Sequence, residues 1–297
     1  MHSTRTTDIG NNRQVFVDDF WIEEAQGIER RLHQPTRRQP AIRSDHTWEK
    51  GGVSYMVTFP DKGRFRAWYR CDCEMPPKDK RIPLIAYAES TDGVHWEKPE
   101  LGLIEFGGSK KNNLVWNGPG NNLAPFRDPN PDVPEDEHYK AIVRNGDIFA
   151  LASPDGLQWH LLQEKPILTD RPFDSHNLAF WDPWREEYVA YTRGVAGKGC
   201  FKNGVRWIRR ATSPDFRTWS DLRPIDCGEA PFEHLYTNAC IAYERAPGTY
   251  LMFPSRFVPE REPQPGWEYG SGVSDIVFMS SRDGLNFDRS FLEAFVR

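Results

Sequence analysis

Four copies of one phrase recur along the chain: Ser90-Thr-Asp92-Gly93-Val-His-Trp96, Ser153-Pro-Asp155-Gly156-Leu-Gln-Trp159, Ser213-Pro-Asp215-Phe216-Arg-Thr-Trp219 and Ser281-Arg-Asp283-Gly284-Leu-Asn-Phe287. From Asp to Asp the intervals are 63, 60 and 68 residues, so one supersecondary unit of nearly constant size repeats. Each copy ends a short apolar or alternating stretch and sets a turn before an aromatic residue that belongs in a packed strand.

Two further runs precede each phrase. One is strand-like and ends in arginine: Arg64 to Arg70, Tyr139 to Arg144, Tyr188 to Arg193 and Tyr250 to Arg256. The other comes earlier: Val53 to Phe59, Ala124 to Phe126, Asn177 to Trp181 and Asn238 to Tyr243. With a fourth strand after the turn, such as Trp159 to Leu162, each repeat supplies four antiparallel strands. That is the blade of a β-propeller, so the expected fold is all-β, a single propeller domain over residues 1–297. Blades are readable at about 50–107, 120–170, 174–226 and 236–290. Residues 13–24 read as a further strand of the kind that closes a propeller ring; either the ring is four-bladed or, the favoured reading, a fifth blade is incomplete or lies beyond Arg297.

Composition narrows the function classes. Aromatic residues make up 13% of the chain and 11 are Trp, as expected where sheets pack face to face. A net charge of -5 offers no general attraction to nucleic acid or anionic membranes. No apolar run reaches the roughly 20 residues of a membrane span. The N-terminus lacks the apolar core of a signal peptide, which points to the cytoplasm, or to secretion where the N-terminus is incomplete. Cys71, Cys73, Cys200, Cys227 and Cys240 form an odd set without zinc-knuckle spacing and read as reduced thiols. No metal or cofactor is expected, because His176 and His234 lack His-x-His or His-Glu-x-x-His company.

The Ser-x-Asp-Gly-x-x-Trp turn in successive blades, the Trp48-Glu49 segment ahead of the first blade and the Arg127-Asp128-Pro129 triplet resemble the five-bladed propeller glycosidases of glycoside hydrolase families 32, 43 and 68. The similarity runs from about Val15 onward and is nearest to bacterial family 32/43-like members. The Trp-x-Asn-Asp-Pro-Asn-Gly opening and the Glu-Cys motif of family 32 are not in the sequence. The resemblance implies an axial pocket, acidic residues near the starts of the inner strands, and a carbohydrate substrate. An axial calcium is left open, as is the oligomeric state.

Glycoside hydrolysis needs one protonated and one ionised carboxyl group. Carboxylates that recur in every blade are better read as structural, which counts against Asp128: it aligns with Asp182, and Asp61 and Glu244 fall near the same place. Three others do not recur. Glu49, Asp174 and Glu233 each lie just ahead of an inner strand and are the candidate catalytic residues. Trp48 and Tyr236 offer stacking faces for sugar, and His176, Asn177 and Asn238 offer hydrogen-bonding groups. The repeating arginines read as ties between blades, with one facing the axis able to contact an acidic sugar. The reading is a glycoside hydrolase; the alternatives are a carbohydrate-binding or scaffold propeller without hydrolysis, or an inactive glycosidase fragment.

Overall fold

The computed structural model describes residues 8–75, 80–196, 204–267 and 270–297; Cys200 lies outside them. It is all-β and built from four-stranded antiparallel sheets of propeller-blade type. Two compact units divide the chain: a larger one, Thr36–Pro224 with His234–Asn238, and a smaller one made of the residues up to Pro35, Ile225–Glu233 and Ala239–Arg297.

The larger unit holds three blades. The first contains β1 (Val53–Asp61), β2 (Arg64–Met75), β3 (Lys80–Ser90) and β4 (Leu114–Trp116), in that order. The second contains β5 (Asn121–Arg127), β6 (Tyr139–Asn145), β7 (Asp147–Ser153) and β8 (His160–Leu161). The third contains β9 (Leu178–Asp182), β10 (Glu187–Ala196), β11 (Val205–Ser213) and β12 (Arg223–Pro224), with β13 (His234–Tyr236) beside β11. In the smaller unit β14 (Ile241–Ala242), β15 (Tyr250–Met252), β18 (Met279–Ser281) and β19 (Phe287–Asp288) form a four-stranded sheet. The hairpin of β16 (Ser255–Val258) and β17 (Val273–Ile276) is inserted between β15 and β18. The run expected as one strand from Tyr250 to Arg256 is therefore split by Phe253-Pro254.

Two expectations are corrected. The first blade extends past residue 107, because its outer strand is β4; Asn113 fastens that strand by donating from Nδ2 to the Tyr87 carbonyl (2.6 Å) and the Tyr69 hydroxyl (2.8 Å). Residues 13–24 form no strand. Buried Asp18 instead accepts two hydrogen bonds from the Arg282 guanidinium (2.8 and 2.9 Å), which also donates to the Val15 carbonyl (3.1 Å). Side-chain anchoring takes the place of a backbone ladder.

The repeated phrase is a self-satisfied turn. Ser153 Oγ accepts from the Gly156 amide (2.8 Å), and Asp155 Oδ1 accepts from the amides of Leu157 (2.8 Å) and Gln158 (2.9 Å). Trp159 Nε1 then donates to the Gly156 carbonyl (3.0 Å). Closely similar bonds recur around Ser90, Ser213 and Ser281. Burial works against ionised Asp155, Asp215 and Asp283, but these donors prevail and hold all three below the usual carboxylate range.

Two of the turns also dock on the preceding blade. Trp68 of β2 donates to the Gly156 carbonyl (2.7 Å), and Arg66 donates to the Asp155 carbonyl (2.8 Å). At the next interface Phe216 replaces the glycine, fully buried with φ of 61°, its ring 5.6 Å from Phe126 and 5.1 Å from Tyr188. Strand register explains the exchange. Trp68 and Ile142 occupy equivalent sites opposite Val57 and Ala124. The large Trp68 lies against a glycine in the turn, and the smaller Ile142 shares one core cluster with Phe216.

A second contact closes each of these interfaces. Asp61, at the end of β1, accepts from the Tyr139 hydroxyl of β6 (2.5 Å) and from Arg66 (3.1 Å). Asp128, just after β5, accepts from the Tyr188 hydroxyl of β10 (2.6 Å) and from buried Lys140 (2.5 Å). Burial, with the bond to Asp61, pushes the Tyr139 hydroxyl up to about 12.

Truncating Phe216 to Gly should destabilise the protein by about 2–4 kcal/mol, the cavity cost of a buried ring less the relief of a left-handed residue. Gly156→Ala should cost about 1–3 kcal/mol, because φ is +77° and the new Cβ would sit 3.0 Å from the Trp68 ring. Denaturant unfolding of both variants checks the pair. The depressed carboxyls add stability that is complete above about pH 4, the unfolded carboxylate range, and is lost as pH falls further. Melting temperature should therefore drop below pH 4, and Asp155→Asn should flatten that slope.

Candidate functional site

The sequence-selected carboxylates have different fates. Glu49 closes a short 3-10 turn, Thr47–Glu49, and is completely buried. Its Oε2 accepts from the amides of Asp45 and His46 (both 3.1 Å) and from Lys98 Nζ (2.8 Å), while Oε1 accepts from the Tyr69 hydroxyl (2.7 Å). Every strong acceptor direction is occupied and no face meets solvent, so Glu49 is a structural group. Trp48 beside it stacks on His46 at 4.5 Å and donates to Asn113 (2.9 Å), which makes it part of the first blade's packing. Asp128 is likewise sealed, with a side chain 0% exposed against Lys140.

Asp174 is exposed and ion-paired with Arg193. Glu233 belongs to the smaller unit, where Arg289 (2.7 Å) and Arg256 (3.5 Å) hold its two oxygens. Asn177 is spent on structure: its amide donates to the carbonyls of Phe173 (2.9 Å) and Ser175 (3.1 Å), and its oxygen accepts from the Arg193 amide (3.0 Å). Asn238 donates to the Tyr191 carbonyl (3.1 Å) and the His176 carbonyl (3.4 Å). Both amides shape the place where His176 sits.

That place is where the three blades of the larger unit bring one end of their inner strands together. Arg70, Arg144 and Arg193 take equivalent positions there: Arg70 pairs with Ser54, Arg144 pairs with Asn121, and the Arg193 amide bonds to Asn177. A hydrogen-bonded belt crosses the blades. Arg70 donates to Asn122 Oδ1 (3.1 Å), Asn122 donates to the Ser175 carbonyl (3.1 Å), and Ser175 Oγ meets Thr237 Oγ1 at 2.7 Å. Tyr55, Asn122 and Thr237 all have left-handed backbones, φ 49°, 58° and 51°. The register breaks between Ser54 and Val57 and between Asn121 and Ala124 are β-bulges, which re-aim side chains at strand ends.

The belt carries rings and charges. The rings of Tyr55 and His176 lie 5.4 Å apart, and Arg206 stands 5.3 Å over the Tyr236 ring. Burial pushes His176 down to about 4, so it is a neutral imidazole near pH 7, and its Nε2 has no hydrogen-bond partner among the described residues. Burial raises the Tyr55 hydroxyl. Burial and then Arg206 lower the Arg193 guanidinium; Tyr236 opposes them, and Arg209 and Arg144 add smaller lowering effects. Asp72, two residues beyond Arg70 on the same strand face, receives two bonds from it on Oδ1 (2.8 and 3.0 Å). Sequence reasoning missed Asp72 and Tyr55; the alternate spacing Arg70-Cys-Asp72 is the signal that places both charges on one face.

Among the described residues no cluster of His, Cys, Asp or Glu is arranged to hold a metal ion. Cys71, Cys73, Cys227 and Cys240 are buried thiols.

Replacing Glu49 by Ala leaves the Tyr69 hydroxyl and two amides without their acceptor and takes one of three acceptors from Lys98, so it should destabilise by about 3–5 kcal/mol. Glu49→Gln should cost less while leaving any activity measurable; loss of activity without loss of stability in Glu49→Gln would show that its role is not structural.

No family model matches the chain. Two uncharacterized proteins of Mycobacterium tuberculosis, from strains CDC 1551 and H37Rv, are each 28% identical over 145 residues, covering 47% of this chain and 41% of theirs. The chain thus spans about 41% of the length of the curated relatives it matches. Among solved structures, an N-acetylgalactosamine deacetylase from F. plautii in complex with blood group B trisaccharide aligns at TM-score 0.53 and 11% identity, over 77% of this chain and 72% of that one. A protein solved as a complex with RGII aligns at 0.52 and 14% identity, over 82% and 74%. The Bombyx mori GH32 beta-fructofuranosidase aligns at 0.51 and 10% identity, over 78% and 47%. A deacetylase among glycosidases means a shared scaffold and not a shared reaction. The chain has the fold of the propeller glycosidases.

Proposed function

We propose that the chain acts on a glycan as a glycoside hydrolase, at the strand ends of the larger unit. The observation that carries this reading is the belt itself: Tyr55 and Tyr236 supply partly exposed rings beside carboxylates Asp72 and Asp174 and several guanidiniums. Sugar recognition needs that combination of stacking surface and directed polar groups. Hydrolysis requires one carboxyl to protonate the leaving oxygen while another acts as nucleophile or as base for water. Asp174, already singled out in the sequence, and Asp72 fill those two roles. Glu233, in the smaller unit, is a separate candidate. The solved structures bound to RGII and to a trisaccharide support a carbohydrate partner.

One observation favours a second reading. Asp72 and Asp174 are each engaged by an arginine, so the same surface suits glycan binding without bond cleavage. The two readings separate in a single assay of reducing-end release from plant and microbial oligosaccharides. Hydrolysis predicts turnover by the wild type and a loss of about 10²-fold or more in kcat for Asp174→Asn and Asp72→Asn. Binding measured by calorimetry, with no product from any substrate, would establish the second reading.

A further inference from the structure

The belt is unbalanced in charge. Arg70 is answered by Asp72 and Asp174 answers Arg193. Arg144 has no carboxylate partner among the described residues. Its Nε is buried and unbonded. It occupies the same strand-end position as Arg70 and Arg193, between the two blades that carry them. It is near enough to Tyr55 and to Arg193 to act on both electrostatically. Arg206 adds a fourth guanidinium over Tyr236. Of the three equivalent strand-end arginines, Arg144 alone lacks a carboxylate among the described residues, in a chain whose net charge is -5, so the imbalance is local and not a general property of the surface.

A half-buried guanidinium next to like charges is costly unless something anionic completes it. Arginine offers a planar pair of donors that matches a carboxylate or a sulfate ester. Tyr55, which Arg144 is near enough to influence, is partly exposed and has its ring 5.4 Å from that of the buried His176. A sugar ring and an anionic substituent would meet complementary groups within one patch. We infer that the strand-end site takes a glycan bearing an anionic sugar, a carboxylate or a sulfate ester, with Arg144 binding the anion; this rests on the glycan reading above.

The test compares matched sugars. Affinities are measured by calorimetry for tetragalacturonate against its methyl ester, and for a monosulfated galactotetraose against the unsulfated form. The wild type should bind one charged sugar about tenfold or more tightly than its neutral partner, the contribution of one charge-assisted bidentate contact. That preference should fade as salt is raised. Arg144→Gln should bring the ratio to about one, and Arg144→Lys, which keeps the charge but not the fork, should fall between them. A preference within the first pair assigns a uronate, and one within the second pair assigns a sulfate. Equal binding of charged and neutral sugars, or a preference that survives Arg144→Gln, overturns the inference and leaves the glycan reading in place. Failure of all four sugars to bind overturns the inference and leaves the glycan reading to the reducing-end assay above. Melting curves report whether Arg144→Gln folds; if it does not, the salt dependence of the wild type and the Arg144→Lys ratio decide the matter.

Discussion

The buried bond between an aspartate at the end of one blade's inner strand and a tyrosine hydroxyl on the next blade is the contact on which the larger unit depends. Asp61 with Tyr139 and Asp128 with Tyr188 are repetitions of it. In each case a cation from the aspartate's own blade, Arg66 or Lys140, completes the group. A buried carboxylate is expensive unless its lone pairs are satisfied, so these bonds form together or not at all. They fix the spacing of neighbouring blades, and that spacing brings Arg70, Asn122 and Ser175 into line at the opposite strand ends.

Rigidity at one end supports irregularity at the other. The hairpin ends of the blades are closed by the aspartate contacts and the Ser-x-Asp turns. The starts of the inner strands of the first two blades carry bulges and, at Arg144, an incompletely paired guanidinium, while left-handed residues occur at both ends. Strained backbone and unsatisfied polar groups persist only where the surroundings hold them in place, and they concentrate where a protein meets its ligand.

Much of the fold was legible in the sequence, because turn chemistry is local. Ser-x-Asp-Gly acts within five residues, and alternation of apolar residues marks strands wherever they pack. The site was less legible. Glu49 and Asp174 look alike in sequence, each lying ahead of an inner strand, yet Lys98 seals one while Arg193 leaves the other at the surface. The partner that decides the matter is 49 residues away in the first case. The recurrence rule did work for Asp128, since a residue at the same place in successive blades proved to have the same structural task. Applied to the arginines, the rule succeeded for Arg70, which ties its blade to Asn122, and failed for Arg144, whose equivalent position comes without an equivalent partner among the described residues. Residues 13–24 misled for another reason: an apolar and acidic run reads as a strand, but Asp18 found a guanidinium before its backbone found a ladder.

The exchange of Gly156 and Phe216 makes the blades individual. A blade carries on one side a strand residue that sets the room available, and on the other a turn residue that fills the room left by its predecessor. Trp68 accepts a glycine and Ile142 accepts a phenylalanine, so each module recognises one neighbour by volume. A duplicate of the second blade placed after itself would set a glycine turn against Ile142 and leave a hole the size of a phenyl ring. The order of modules is thus written into their sides, and gain or loss of a blade in such a chain demands two matched substitutions, one on each face of the new seam.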